Sequence, residues 1–298
     1  MNDVVEAHQL TKVYHDVTAV DHASFSIAEG KIYGLLGRNG AGKTTLMQLL
    51  TAQIFASSGE LKVFGEAPYE NNRVLSQVCF VKESQKYPQT FRVIDVLDMA
   101  AVIFPHWDKK YAYSLVEDFR LPLKRTANKL SRGMLSSMGI TVGLASRAPL
   151  TIFDEPYMGL DAVARSMFYD RLIEDYAQYP RTIILSTHLI DEVSHLLEHV
   201  LVIDDGKIII DEETDALRGR AFTLVGPASK VEAFTAQKDV MHRESLGTLV
   251  SATILGHLDT EDHEQAEALG LEIAPVSLQQ LIVHLTRGTS ERKAAQVR

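Results

Sequence analysis

Residues 37–44 read Gly37-Arg38-Asn39-Gly40-Ala41-Gly42-Lys43-Thr44, which is the complete glycine-rich phosphate loop GxxxxGK[ST]. The apolar run 32–36 precedes it and the apolar-periodic segment 45–50 follows it, so the sequence predicts a strand, a loop and a helix. Glycines let backbone N–H groups turn toward phosphates, while the helix N-terminus and Lys43 supply positive charge. Thr44 is placed to offer its hydroxyl to Mg²⁺. The sequence therefore predicts a binding site for a nucleoside triphosphate.

The composition is that of an ordinary globular protein with an acidic balance. The chain has 298 residues, 46% of them hydrophobic and 23% charged, with a net charge of −9. Nucleic acid is not expected as a partner, because a phosphate backbone requires a basic face. No apolar run reaches the roughly 18 to 20 residues that span a bilayer. The single cysteine, Cys79, lies in an apolar run and is expected to be buried in a reduced, cytoplasmic protein.

Short apolar runs separated by helical segments predict a parallel sheet covered on both faces. The predicted strands of this sheet are Ile32–Leu36, Val78–Val81, Leu150–Phe153, Thr182–Ser186 and Val200–Ile203. Upstream of it, Val4–His8 and Ala23–Ile27 have the alternation typical of antiparallel strands. Asp204–Lys207 contains the Asp-Gly pair of a tight hairpin turn.

Two further segments divide the chain. Residues 90–147 have a helical pattern interrupted at Pro105 and Pro122, and a break follows around 218–220. Beyond the break, the predicted strands and helices of a small α+β unit are Phe222–Val225, Val231–Lys238, Leu249–Leu255 and Glu261–Leu269. The predicted domains are therefore residues 1–218 and 219–298, with a frayed tail over the last twelve or so residues.

Acidic side chains and a histidine follow two strands of the predicted parallel sheet. Asp154 and Glu155 end the run 151–153, and His188 follows Ser186-Thr187. A carboxylate that leaves the sheet beside a phosphate loop suits Mg²⁺, which favours Asp154 as a metal ligand together with Thr44. Glu155 can polarise a water for attack on the γ-phosphate. His188 can reach the same phosphate and hold that water, so Glu155 and His188 are the predicted catalytic residues.

These motifs, in this order, resemble the ATP-binding subunits of ABC transporters over about residues 3–217. The resemblance also rests on Leu130-Ser131-Arg132-Gly133-Met134, at the position of the LSGGQ signature, and on Gly159-Leu160-Asp161, at the position of the D-loop. It implies an α/β fold with a RecA-like P-loop NTPase core, an antiparallel β-subdomain and a helical subdomain inserted at about 84–147. The small C-terminal α+β domain predicted from the residues beyond the break is added to these. Tyr14 matches the position of the aromatic ring that stacks on adenine in this family.

The resemblance further implies that two subunits bind two ATP molecules head to tail. Each composite site takes the phosphate loop of one subunit and the signature of the other, so the signature residues Ser131, Arg132, Gly133 and Met134 act in trans. The implied D-loop residue is Asp161. The implied ATP-binding residues are Tyr14, Gly37, Arg38, Asn39, Gly40, Ala41, Gly42, Lys43, Thr44 and Thr45.

The sequence departs from the family pattern at two motifs. Arg132 replaces the first of the paired signature glycines, and Met134 replaces the closing glutamine. Glu83 lies where the family has the glutamine of its Q-loop, with Gln85 two residues later. A glutamate can also ligate Mg²⁺, so the predicted metal ligands are Thr44, Asp154 and Glu83. The segment 87–91 that follows is expected to meet a membrane partner.

The resulting hypothesis is an Mg²⁺-dependent ATPase that powers export through a separate transmembrane permease, on the inner face of the cell membrane. The appended C-terminal unit resembles that of bacterial exporters of the ABC-2 type, which favours export. The alternative is a weakly hydrolysing regulatory subunit that pairs with a homologue in an asymmetric heterodimer. A soluble ABC ATPase acting on ribosomes or DNA is disfavoured because the chain has neither fused ATPase halves nor a long coiled coil. The signature and His188 together exclude a small-molecule kinase.

Overall fold

The computed structural model describes residues 3–83 and 85–286. Their contacts divide the chain into a larger unit, residues 1–188 and 196–211, and a smaller unit, residues 189–195 and 212–298. This division falls close to the break around 218–220, but it also assigns 189–195 to the smaller unit. The domain boundary at 218 stays a prediction. The tail predicted to be frayed lies outside the described residues.

The elements follow one another along the whole described chain. In order they are β1 (Asp3–Tyr14), β2 (Val17–Ala28), β3 (Ile32–Leu36), α1 (Lys43–Leu50), β4 (Ser58–Val63), α2 (Asn72–Leu75), β5 (Val78–Val81), α3 (Val93–Ile103), α4 (Lys109–Asp118), α5 (Arg132–Ser146), β6 (Leu150–Asp154), α6 (Ala162–Gln178), β7 (Thr182–Thr187), α7 (Ile190–Val193), β8 (His199–Asp204), β9 (Lys207–Glu213), α8 (Thr214–Leu217), β10 (Ala221–Pro227), α9 (Ala228–Thr235), β11 (Asp239–Leu246), β12 (Leu249–Leu255), α10 (Thr260–Leu269), β13 (Glu272–Pro275) and α11 (278–286). One turn of 3₁₀ helix, Ala127–Lys129, precedes α5.

The larger unit is built on a six-stranded sheet in the order β5-β6-β7-β3-β8-β9. The pairs β5–β6, β6–β7, β7–β3 and β3–β8 are parallel, and every residue of β3, β6 and β7 is buried. Buried strands read as continuous apolar runs because both faces of the sheet are covered. The predicted α/β fold is confirmed. The carboxyl ends of β3, β6 and β7 meet at one edge, which places the residues that follow them side by side.

A second, antiparallel sheet of three strands has the order β2-β1-β4. Its side chains join α1 and the central strands in one apolar cluster that includes Leu10, Ile27, Leu46 and Leu50. The helices α3, α4 and α5 pack around a separate cluster. Pro105 and Pro122 both lie in the connections between these helices, where a missing N–H costs nothing.

Helix α5 packs against the sheet through glycine. A Cβ added at Gly143 would lie 2.5 Å from Cε1 of Phe153 and 2.9 Å from Cγ2 of Val81. Phe153 is fully buried on β6, so the ring cannot move away freely. The absent side chain therefore sets the distance between the helix and the strand that ends at Asp154.

We expect Gly143→Ala to destabilise the protein by about 1 to 3 kcal/mol, because the added methyl group overpacks a close contact. Thermal unfolding measures this as a lowered midpoint. Combining it with Phe153→Leu, which shortens the opposing side chain, should cost less than the two single changes added together. Additive losses would show that the contact does not limit the approach of α5.

The smaller unit has the order β-α-β-β-α-β from β10 to β13. Its sheet runs β11-β12-β10-β13 with every neighbouring pair antiparallel, which is the ferredoxin-like arrangement. The interior strands β10 and β12 match the predicted ones. The sequence interpretation missed β11, β13 and α11. β11 is an edge strand with exposed charged residues such as Asp239 and Arg243, so it lacks the apolar pattern of an interior strand.

In the part of the chain that the structure describes, no helix combines the length and the apolar character needed to cross a membrane.

Candidate functional site

The phosphate loop connects β3 to α1 and is closely packed by the neighbouring backbone. Gly37 and Gly42 have φ values of 154° and 112°. A Cβ added at Gly37 would lie 2.3 Å from the carbonyl oxygen of Ile203, and one at Gly42 would lie 2.3 Å from that of Ala19. Only glycine fits such approaches, because any side chain would collide with backbone. The two glycines therefore fix the course of the loop into the first turn of α1.

Lys43, the first residue of α1, bends back over this loop. Its Nζ donates hydrogen bonds to the carbonyl oxygens of Gly37, at 2.7 Å, and Arg38, at 3.2 Å. Only 6% of the residue is exposed. Burial lowers the pKa of Lys43, and the nearby carboxylates of Glu155 and Asp154 oppose that effect. The loop thus holds a compact cation beside two acidic side chains.

Asp154, at the end of β6, meets the phosphate loop through Thr44. The hydroxyl of Thr44 donates to Oδ2 of Asp154 at 2.9 Å. Asp154 is buried, and burial raises the pKa of its carboxyl group, while the hydrogen bond from Thr44 and the ammonium of Lys43 lower it. A hydroxyl and a buried carboxylate in contact are hard oxygen donors that suit Mg²⁺. The residues present therefore fit the metal that the sequence predicts.

A cavity of about 360 Å³ brings these groups together. Its lining comes from the phosphate loop and the first turn of α1, from β2, from the residues that follow β6 and β7, and from the connection after β5. The lining residues are Ala19, Asn39, Gly40, Gly42, Lys43, Thr44, Thr45, Glu83, Asp154, Glu155, Met158 and His188. The cavity thus collects the predicted metal ligands and both predicted catalytic residues in one place. Arg38, like Asn39, is exposed on the loop.

Glu155 and His188 form a pair at the end of β6 and β7. Nδ1 of His188 lies 2.9 Å from Oε2 of Glu155. Burial raises the pKa of Glu155, and the imidazole of His188 and the ammonium of Lys43 lower it. The φ of Glu155 is 49°, in the left-handed region that a side chain other than glycine seldom adopts. The carboxylate therefore reaches the cavity from a strained backbone.

Sequence reasoning missed Tyr157, whose hydroxyl is in contact with this pair. Tyr157 is 4% exposed, and its hydroxyl bonds to Oε2 of Glu155 and lies 2.9 Å from Nδ1 of His188. The only available signal was a hydrogen-bonding aromatic two residues after Glu155. The position of a tyrosine in a turn of the sequence does not distinguish a residue of the site from one that only packs in the core. Met158, which lines the cavity, was missed for the same reason.

The signature segment forms the start of α5 and packs against the predicted D-loop. Ser131 caps the helix by accepting a hydrogen bond from the N–H of Met134 at 3.2 Å. A Cβ added at Gly133 would lie 2.5 Å from the carbonyl oxygen of Gly159 in the predicted D-loop. Asp161 caps α6 in the same way, accepting from Ala164 N–H at 2.8 Å. Among the described residues, these signature residues do not line the cavity around Lys43 of their own chain.

Two of the three residues that depart from the family pattern, Arg132 and Glu83, contact each other. A guanidinium nitrogen of Arg132 lies 3.2 Å from Oε1 of Glu83, with 61% and 42% of the two side chains exposed. An ion pair as exposed as this contributes about 0 to 1 kcal/mol. Glu83 also lines the cavity, so it is shared between the signature and the predicted metal site. Among Glu83 and Gln85, only Glu83 reaches that cavity.

Tyr14 ends β1 and lies outside the lining of the cavity. Tyr14 is 40% exposed, and Nζ of Lys12 lies 4.9 Å from the centroid of its ring. Although Lys12 lies over the ring, Tyr14 is exposed enough for an adenine ring to reach it. Its stacking on adenine stays a prediction.

Comparison with known proteins identifies the family. The sequence model for ABC transporters matches residues 20–158. The chain is 32% identical over 224 residues to the bacitracin transport ATP-binding protein BcrA of Bacillus licheniformis, which is 74% of this chain and 73% of that protein. A solved ATP-binding subunit of an ABC transporter has a TM-score of 0.66 at 22% identity, over 72% of this chain and 91% of that one. A dimeric bacterial ABC transporter cassette has a TM-score of 0.62 at 18% identity, over 70% and 98% of the two chains.

The resemblance inferred from the motifs is thereby confirmed, and with it the ability to bind ATP or ADP and to hydrolyse ATP. The cavity described above is where the phosphate loop, the acidic end of β6 and His188 meet. The chain belongs to the ATP-binding subunits of ABC transporters.

Proposed function

We propose that this protein hydrolyses Mg²⁺-bound ATP in composite sites between two head-to-tail subunits and thereby drives export through a separate transmembrane permease. One observation carries the proposal. The Thr44–Asp154 hydrogen bond and the Glu155–His188 pair lie in a single cavity beside the phosphate loop. Phosphoryl transfer needs just these parts, namely a cation site, a base and a cradle for the phosphates.

Each group has a distinct role in this proposal. The N–H groups of the loop and the ammonium of Lys43 bind the phosphates. Thr44, Asp154 and Glu83 would hold Mg²⁺, which, when bound, neutralises charge on the β- and γ-phosphates. Glu155 accepts a proton from the attacking water, and His188 orients that water near the γ-phosphate. Tyr14 would stack on the adenine.

The signature is proposed to act on the nucleotide of the partner subunit. Ser131 and Gly133 start α5, where a hydroxyl and a backbone N–H are suited to anionic oxygens. Their absence from the lining of the cavity around Lys43, within the described chain, supports a role in trans. The dimeric cassette that this fold resembles supports the same arrangement.

Mixing two inactive variants tests the composite site. Lys43→Ala loses the phosphate loop and keeps the signature, whereas Ser131→Glu keeps the loop and places a carboxylate against the phosphates. In an equimolar mixture half of the dimers are mixed and each has one intact site, so about a quarter of the parental phosphate-release rate should return. A signature that acts within its own chain would give no recovery.

A matched control mixture combines Lys43→Ala with Glu155→Gln. Both defects then belong to the same half of the composite site, so no mixed dimer has an intact site and hydrolysis should stay low. Recovery in this control would show that Lys43 and Glu155 of one subunit serve different composite sites, which contradicts the proposed arrangement.

The weakly hydrolysing regulatory subunit is the second candidate, and the Glu83–Arg132 contact favours it. If that contact kept Glu83 away from the metal, turnover would be slow. An exposed pair worth about 1 kcal/mol or less can, however, be broken by the binding of a nucleotide and a metal. We therefore propose retained hydrolysis in a homodimer. Failure of the parent alone to form a dimer with ATP would favour the asymmetric heterodimer.

An apolar groove is a suitable contact for the transmembrane partner. It has a volume of about 260 Å³ and is lined by Tyr87, Phe91, Met99, Ile103 and Phe104, among others. Met99 and Ile103 are about half exposed, and Val102 beside them is 87% exposed. Exposed apolar side chains grouped in this way mark a protein-binding surface. Docking of a permease here would hold the subunit on the inner face of the membrane.

Export is proposed from the resemblance to exporter ATPases, and the likeness to a bacitracin transport subunit supports it.

A further inference from the structure

We propose that Tyr157 positions the carboxylate of Glu155 for hydrolysis. This inference rests on the proposed role of Glu155 as the base. It concerns a side chain that no motif of the phosphate loop, the acidic strand end or the signature includes. The hydroxyl of Tyr157 acts through Glu155 and His188, and it does not itself contact the nucleotide.

The hydrogen bonds around the Tyr157 hydroxyl fix where its proton goes. It accepts from the hydroxyl of Thr187 at 3.1 Å and from the backbone N–H of His188 at 3.1 Å. A phenol has one proton and can accept two hydrogen bonds, so both acceptor positions are filled. The remaining proton points to Oε2 of Glu155, which is a charged and stronger acceptor than the imidazole.

His188 completes the arrangement. Its Nδ1 lies 2.9 Å from Oε2 of Glu155, and a carboxylate can only accept, so Nδ1 carries the proton. The rings of Tyr157 and His188 also meet edge to face, with centroids 5.6 Å apart. Two donors thus converge on Oε2. The other carboxylate oxygen, Oε1, is left to accept the proton of the attacking water.

Tyr157 also has the rigidity that this task requires. It is 4% exposed, whereas 46% of the side chain of His188 is exposed. Of the two donors to Oε2, Tyr157 is therefore the fixed one. Glu155 itself has a strained backbone with φ at 49°, which by itself does not hold one rotamer. Removing the phenol hydroxyl would let the carboxylate rotate without removing it from the cavity.

Tyr157→Phe tests this. We expect kcat to fall about tenfold, the usual effect of losing a hydrogen bond to a charged group, while KM for ATP stays within about twofold. Tyr111→Phe is the matched control, since its hydroxyl also donates one part-buried hydrogen bond, to the carbonyl oxygen of Arg171 at 3.0 Å. The control should keep the parental kcat. Thermal unfolding of both variants separates a loss of stability from a loss of turnover.

A double-mutant cycle with Glu155→Gln distinguishes positioning from a structural role. Single-turnover hydrolysis with enzyme in excess measures the slow residual rates. If Tyr157 acts through the carboxylate, Tyr157→Phe should change the rate of Glu155→Gln by less than about twofold. The same tenfold loss in both backgrounds, or a parental kcat for Tyr157→Phe, would overturn the inference. A fully active Glu155→Gln would instead overturn the proposed base, which is a different result.

Discussion

Glu155→Gln is expected to lower kcat for ATP hydrolysis on the order of 10³-fold while ATP still binds. Loss of a general base removes a contribution of about 10² to 10⁴. Glutamine has the same size and can still accept a hydrogen bond from Tyr157, so the strained turn is preserved. Phosphate release measures the rate, and titration with a fluorescent ATP analogue measures the affinity.

The same variant should accumulate as an ATP-bound dimer, because trapped nucleotide keeps the two subunits closed. Light scattering with ATP and Mg²⁺ measures the mass, and ADP serves as the reference state. Glu174→Gln is the matched control, since Glu174 is exposed on α6 and pairs with Arg171 at 2.8 Å, away from the cavity. The control should hydrolyse at the parental rate. Hydrolysis by Glu155→Gln at that rate would remove Glu155 as the base.

Lys43→Ala is expected to weaken ATP binding by about 100-fold or more, since the ammonium makes charge-assisted contacts with phosphate oxygens. In the structure its Nζ donates to two carbonyl oxygens of the phosphate loop. The ammonium group is therefore already held beside the loop that binds the phosphates. Fluorescent-ATP titration gives the affinity directly.

Lys207→Ala is the control for the loss of one positive charge. Lys207 lies at the hairpin after β8 and pairs with Asp21 at 3.2 Å, with 55% of its side chain exposed. It should bind ATP as the parent does. Comparable thermal midpoints for the two variants show that both remain folded. Unchanged affinity in a folded Lys43→Ala protein would contradict the phosphate-loop assignment.

The sequence predicted the parallel core and the grouping of its polar ends because local patterns decide both. Apolar runs before residues 37 and 154 and at 182–186 predicted buried strands, and motif order placed their ends together. The antiparallel sheet was predicted in part, since β1 and β2 extend well beyond the alternating segments Val4–His8 and Ala23–Ile27. Irregular register between these strands interrupts the alternation on which the prediction relied.

What the sequence did not predict depends on contacts between distant segments. Tyr157 gains its role only when β7 brings Thr187 and His188 beside it. The Glu83–Arg132 pair joins residues 49 positions apart, each noticed separately as a departure. Edge strand β11 and the short β13 owe their structure to pairing with β12 and β10, since their own sequences have little strand pattern.

The left-handed backbone at Glu155 has a consequence for how this protein tolerates change. Such a conformation costs about 1 to 3 kcal/mol in a residue that is not glycine. A selection for heat resistance alone would accordingly favour glycine or asparagine at this position. The selected variants would be more stable than the parent but would hydrolyse ATP slowly. Position 155 is thus one where thermal robustness and catalytic competence compete within a single amino acid.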